Sequence, residues 1–208
     1  MDPVTIIILV AVALIALALI WWYYPYFRRP WMPKLGLLKG KRAARWRGRR
    51  PILSATNPSL VISKARCEME LYDGEKLLKT YRIALGLNPL DDKRKEGDGC
   101  TPEGEFYICT KNDRSRFHLF LGLSYPSEED AERGLNAGLI SKEEHDRILE
   151  ALTDRRRPPW DTRLGGEIGI HGGGSESHWT QGGIAIENRD IEELFLIVDI
   201  GTPVTILP

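Results

Sequence analysis

Residues able to hold metals or disulfides are scarce in this chain: its 208 residues include three cysteines and four histidines. Cys67, Cys100 and Cys109 are odd in number, irregularly spaced and without a CxxC, so neither a disulfide framework nor a zinc module follows from them. His118, His145, His171 and His178 include no pair at i, i+4, and neither a metal nor a cofactor is implied. Phosphate-binding loops are also missing. There is no GK[ST], and Gly172 to Gly174 lack the dinucleotide fingerprint spacing. The HGGG run at residues 171–174 could build an oxyanion hole in an α/β-hydrolase, but that fold needs a G-x-S-x-G elbow, which is absent. No internal repeat or low-complexity tract is present.

Net charge is lacking too, at 29 basic against 29 acidic side chains, and the balance hides two opposite regions. Residues 1–50 carry ten basic groups and one acid, whereas the remainder carries 19 basic and 28 acidic groups. An acidic globular part is a poor match for a phosphate backbone, which excludes nucleic acid as its expected partner. Val4 to Tyr24 is uncharged for 21 residues and ends in Trp21, Trp22, Tyr23 and Tyr24. At ~1.5 Å per residue it can cross a hydrocarbon core of ~30 Å, with the aromatic rings at the interface. A cleaved signal peptide is the competing reading, through the small-x-small triplet Ala16-Leu17-Ala18. The apolar run continues past that triplet and no basic segment precedes it, which favours an uncleaved single-pass anchor.

The expected organisation is an N-terminal end (1–3), a transmembrane anchor (4–24), a basic juxtamembrane linker (25–57) and a folded domain (58–208). Within the domain, Leu60 to Tyr72 alternates apolar and polar residues, placing Cys67 on the apolar side of a strand. Asp73-Gly74 offers a turn and Lys76 to Leu85 a second strand, together a hairpin. Further strands are expected at Glu105 to Thr110, His118 to Ser124, Glu167 to His171, Gly183 to Ile186 and Pro203 to Leu207. Ser127 with Asp130 and Ser141 with Glu144 read as capping boxes that start two helices, and Asn188 begins a third that runs to about Val198. The fold class is mainly β (α+β), with a few short helices.

Four segments, in order, carry a resemblance: GDGCTPEGEFYI (97–108), LGLSYPSEEDAERG (121–134), IGIHG (168–172) and WTQGGIAIENRDIEEL (179–194). Together they resemble the L,D-transpeptidase (YkuD-type) catalytic domain from Leu60 to the C-terminus. The resemblance implies a β-sandwich of that type and acyl transfer on peptidoglycan stem peptides, the implied partner. In the family a cysteine thiolate attacks the carbonyl before a terminal D-alanine, and an amine or water resolves the thioester. Mapped by position, His171 is the general base, the Gly172 carbonyl orients its imidazole, and Thr180 starts the catalytic turn. The amides of Gly182 and Gly183 stand where an oxyanion hole would form, and His178, Trp179 and Ala185 map to the substrate pocket. The implied location is the cytoplasmic membrane with the domain outside. The positive-inside rule points the other way, because the Lys/Arg-rich flank lies on the domain's side of the span.

Gly183 occupies the position of the family's cysteine, and glycine has no atom with which to attack a carbonyl. Three readings stay open: a nucleophile-removed form of an intact enzyme, a non-catalytic binding or scaffold protein, and a thiol relocated to Cys100. Cys100 has neither a helix N-terminus nor a paired histidine apparent in the sequence to lower its pKa, so the third is the weakest. Ala185 stands where many members have arginine and resembles a GCIA branch that includes stem-peptide hydrolases and amidases, leaving transfer and hydrolysis both open. Outside the motifs, His118 and His145 read as structural or solvated.

Overall fold

A computed structural model describes residues 54–208. The expected anchor and most of the linker lie outside the described residues; within them no helix is long and apolar enough to cross a membrane. Eight strands and three helices follow in the order β1 (Pro58–Ser63), β2 (Glu68–Asp73), β3 (Lys76–Arg82), β4 (Gly104–Ser115), β5 (His118–Leu123), α1 (Glu128–Asn136), α2 (Lys142–Thr153), β6 (Gly169–His171), β7 (Ile184–Ala185), α3 (Asn188–Ile197) and β8 (Pro203–Leu207). The expected sandwich takes the form of one curled sheet of order β3-β2-β1-β8-β4-β5-β6-β7. Its two ends meet. Ala84, just beyond β3, exchanges both backbone hydrogen bonds with Ala185 of β7, each at 2.8 Å.

The first strand differs from expectation. Leu60 to Tyr72 is not one strand, because the chain reverses at Lys64–Cys67, where the Cys67 amide donates to the Lys64 carbonyl at 3.2 Å. Cys67 therefore sits in a turn, at φ 53°, half-buried against the core. Apolar-polar alternation runs on through the turn, so periodicity gives no warning of it. What stabilises the reversal is a buried Lys64 whose ammonium reaches the Asp91 and Thr101 carbonyls and the Glu103 carboxylate. The next turn lies at Gly74-Glu75, one residue beyond the expected Asp73-Gly74, with Asp73 closing β2 and Gly74 at φ +61°, a conformation glycine adopts without a Cβ penalty.

The inward residues of β1, β2, β4, β5, β6 and β8 meet the apolar stripe of α3, Ile191, Leu194 and Ile197, in one core. Each such side chain contributes roughly 1.5–3 kcal/mol when fully buried. A smaller cluster, Ala131, Ile140, Ile148 and Leu164, holds α1 against α2. Both helices carry the full reciprocal capping box, Ser127 with Asp130 and Ser141 with Glu144. Helix α3 has no side-chain cap at Glu187. Asn188, expected to begin it, turns its side-chain oxygen instead to the Gly173 amide at 3.0 Å, so the start of α3 also fixes the loop after β6.

β4 is twice the expected length, because its polar half, Lys111 to Ser115, pairs with β5 as a projecting hairpin. Polar residues on both faces give no buried alternation from which to read that extension. His118 opens β5 at φ 78° with its Nε2 2.9 Å from Glu192 on α3. His145 is buried on α2 beside Asp146.

Candidate active site

β6 and β7 run parallel, and their register sets His171 opposite Ala185, two residues beyond Gly183. His171 is buried, at 4% exposure. Its Nδ1 lies 2.7 Å from the Gly172 carbonyl. A carbonyl only accepts, so Nδ1 carries the hydrogen and Nε2 presents a lone pair. That lone pair faces the turn: a Cβ built on Gly183 would lie 2.9 Å from Nε2 and 3.2 Å from the Gly169 carbonyl oxygen. The positions mapped to base and nucleophile are thus adjacent.

Aromatic rings pack around the imidazole. Phe117 stacks on it at 4.7 Å between centroids and 27° between planes, and Trp179 meets it edge-on at 5.4 Å. Trp179 is held by its indole N–H, which donates to the Gly174 carbonyl at 3.2 Å. Burial holds the His171 pKa below the ordinary imidazole value; the Gly172 carbonyl opposes this and the nearby Arg116 guanidinium adds to it. A neutral ring is the form a general base requires.

The turn is built around one hydroxyl. Thr180 Oγ1 donates to the Gly183 carbonyl at 2.6 Å and accepts from the Gly182 amide at 3.2 Å. The Gly182 amide, mapped to the oxyanion hole, is therefore engaged inside the turn. Gly182 has φ +118°, and a Cβ there would lie 2.6 Å from the Cys100 carbonyl oxygen, so only glycine fits. The backbone of Thr180 binds Leu85 and Leu87, tying the turn to the far end of the sheet.

The remaining mapped residues lie elsewhere. Ala185 is fully buried and committed to the bridge with Ala84, so it cannot line an open pocket. His178 is exposed. Its Nδ1 accepts from the Leu85 amide at 3.0 Å, leaving Nε2–H directed at Cys67 Sγ, 3.9 Å away. Cys100 is buried, accepting from the Asn88 amide group at 3.3 Å, and burial together with Asp98 and Asp91 pushes its thiol pKa up. Cys109 is pushed up to about 12 by burial. Neither is a ready thiolate.

Phe117, Asn188 and Glu187 are the supporting residues that motif reading missed. Asn188 holds the Gly173 amide, and Glu187 accepts from the Ser175 amide and hydroxyl at 3.0 and 3.1 Å. Their position in ENRD at the start of a helix, after an apolar strand, was the available signal. Among the described residues no three His, Cys, Asp or Glu side chains gather to hold a metal. A polar cleft of about 630 Å³ lined by Arg147, Glu150, Arg156, Arg157, Trp160 and Glu167 shares no residue with this site.

Comparison with known proteins gives a family and a fold. A family model of the L,D-transpeptidase (YkuD) catalytic domain matches residues 57–206. The helical cell shape determining protein Pgp2 from Campylobacter jejuni shares 20% identity at a TM-score of 0.50, over 72% of this chain and 46% of that one. Bd1075 from Bdellovibrio bacteriovorus shares 14% identity at a TM-score of 0.47, over 76% and 51%. An L,D-transpeptidase from Mycobacterium smegmatis shares 9% at 0.44, over 73% and 59%. The chain thus spans about half the length of these solved proteins. No curated protein matches it.

Proposed function

Because the chain belongs to the L,D-transpeptidase (YkuD) catalytic-domain family over residues 57–206, we propose that residues 58–208 form a recognition site for peptidoglycan stem peptides whose acyl-transfer chemistry stops at Gly183. In this reading His171 is the general base, the Gly172 carbonyl orients it, and Thr180 shapes the turn. The observation that carries the proposal is the 2.9 Å between His171 Nε2 and the Cβ direction of Gly183. A thiol on that carbon would lie beside a ring nitrogen already in its accepting tautomer. The thiolate would then form a bond to the peptide carbonyl carbon while the amine of D-alanine left with a proton. With glycine no such bond forms, and binding alone retains ~10³–10⁴-fold acceleration over water at best.

A second reading, a binding or scaffold protein adapted to its glycine, draws on the same distance. A Cβ seldom comes within 2.9 Å of another heavy atom, so the imidazole leans into space that a side chain would need. The two readings separate in Gly183→Cys. Stoichiometric acylation of that variant by a carbapenem, read as a mass increase, together with D-alanine release from a tetrapeptide, supports the disabled enzyme. An inert thiol at residue 183 supports the adapted scaffold. Acylation of the unaltered protein that survives Cys100→Ser would exclude a relocated thiol at Cys100.

The proposed setting is the outer face of the cytoplasmic membrane, with Val4 to Tyr24 as anchor. An alkaline phosphatase fused to the C-terminus is then expected to be active in cells. An inactive fusion would place the domain away from the wall and end the stem-peptide reading.

A further inference from the structure

The tip of the β4–β5 hairpin brings a cation to the site. Phe117 lies on the His171 imidazole, and the guanidinium carbon of Arg116 stands 4.7 Å from the centre of the Phe117 ring. Arg116 is exposed. Among the described residues it makes no ion pair, whereas Lys111 and Arg114 of the same hairpin stand near Asp199 and Asp113. A guanidinium over an aromatic face keeps N–H groups for other partners, and its fork matches a carboxylate with two parallel hydrogen bonds. A flexible surface arginine would spend side-chain entropy to do the same; this one already rests over a ring. Burial first, and then the charge of Arg116, hold the neighbouring His171 imidazole below its ordinary pKa.

We propose that Arg116 is the anion-recognition residue of this site, pairing with a carboxylate of a bound peptide while Phe117 and Trp179 wall the approach to His171. The inference rests on the stem-peptide reading above and adds to it the group that selects an acidic ligand. Of the carboxylates of a stem tetrapeptide, the two on the residues joined by the scissile bond are the candidates, that of the terminal D-alanine and that of the diaminopimelate side chain. They share the chemistry and differ in position.

Calorimetry on the full chain distinguishes them, with three tetrapeptides: unmodified, amidated at the terminal D-alanine, and amidated at the diaminopimelate side chain. The unaltered protein is expected to bind the unmodified peptide about tenfold more tightly than one of the two amides, the fold-change of a lost charge-assisted hydrogen bond. Arg116→Gln is expected to lose the same factor towards the unmodified peptide and to stop distinguishing that amide, with Arg116→Lys in between. The His171 ring resonances report that the variants keep the site intact. If Arg116→Gln binds the unmodified peptide as tightly as the unaltered protein, or keeps its full discrimination between peptide and amide, the role of Arg116 is overturned while the stem-peptide reading stands. Failure of the unaltered protein to bind any of the three overturns both.

Discussion

The two halves of the site are unequally furnished. On the β6 side, His171 has its tautomer set by the Gly172 carbonyl, rings at its face and edge, and a following loop tied to α3 by Asn188 and Glu187. On the β7 side, the turn is equally ordered, with Thr180 bonding both Gly182 and Gly183, yet it ends in a residue with no side chain. The contrast teaches that the supporting network and the reacting atom are separable. Buried polar groups must be satisfied for the fold to stand, whereas a side chain at residue 183 has no such structural obligation.

Adding His171→Ala to Gly183→Cys sharpens that contrast most. If the β6 side is a working base, the double variant is expected to be acylated by a carbapenem at least about 10³-fold more slowly than Gly183→Cys alone, by stopped-flow or mass spectrometry. Equal rates would mean that the two halves do not cooperate.

Thr180→Val asks whether the β7 side is held by its hydroxyl. Two backbone groups, the buried Gly182 amide and the half-buried Gly183 carbonyl, would lose their partner, so urea denaturation should show a loss of about 1–3 kcal/mol. No loss would show that the turn stands without it.

Asn188→Ala tests the loop rather than the base. In the Gly183→Cys background it is expected to slow acylation about tenfold, through a less fixed Gly172–Gly173 peptide, with global stability lowered by only about 1 kcal/mol. A stability loss with an unchanged rate would make Asn188 purely structural.

The smallest effect concerns protons. The His171 pKa is lowered in the fold, so the unfolded chain binds more protons in the interval between the folded value and 6.5. His171 therefore contributes no penalty above pH 6.5, and stability falls as pH drops from there towards the folded value. A His171→Gln variant should show a flatter stability profile across that window in urea titrations at stepped pH. An identical slope would place the imidazole in an environment unlike the one described.

Much of the frame was legible in the sequence because it is locally encoded. Ser127 with Asp130, Ser141 with Glu144, and Gly74 after Asp73 each set a helix start or a turn within four residues. The closeness of His171, Thr180 and Gly183 was legible only through ordered motifs, since 12 residues separate the base from the glycine. The reversal at Lys64–Cys67 was hidden by alternation that continues across it and by a lysine whose partners lie 27–39 residues away. The Arg116–Phe117 tip was hidden for a related reason: its contact with His171 spans 54 residues and belongs to no periodic pattern. Position in a motif also leaves local contacts unread: Ala185 and His178 map by position to a pocket, and in the fold one closes the sheet while the other binds Leu85 and lies beside Cys67.

The thiol of Gly183→Cys, titrated by its thiolate absorbance near 240 nm, tests the central claim most directly. If a complete base site stands beside an absent nucleophile, the thiol should ionise well below the ~8.5 of a free cysteine, and His171→Ala should return it to that value. A midpoint at or above ~8.5 that ignores His171 would contradict the account.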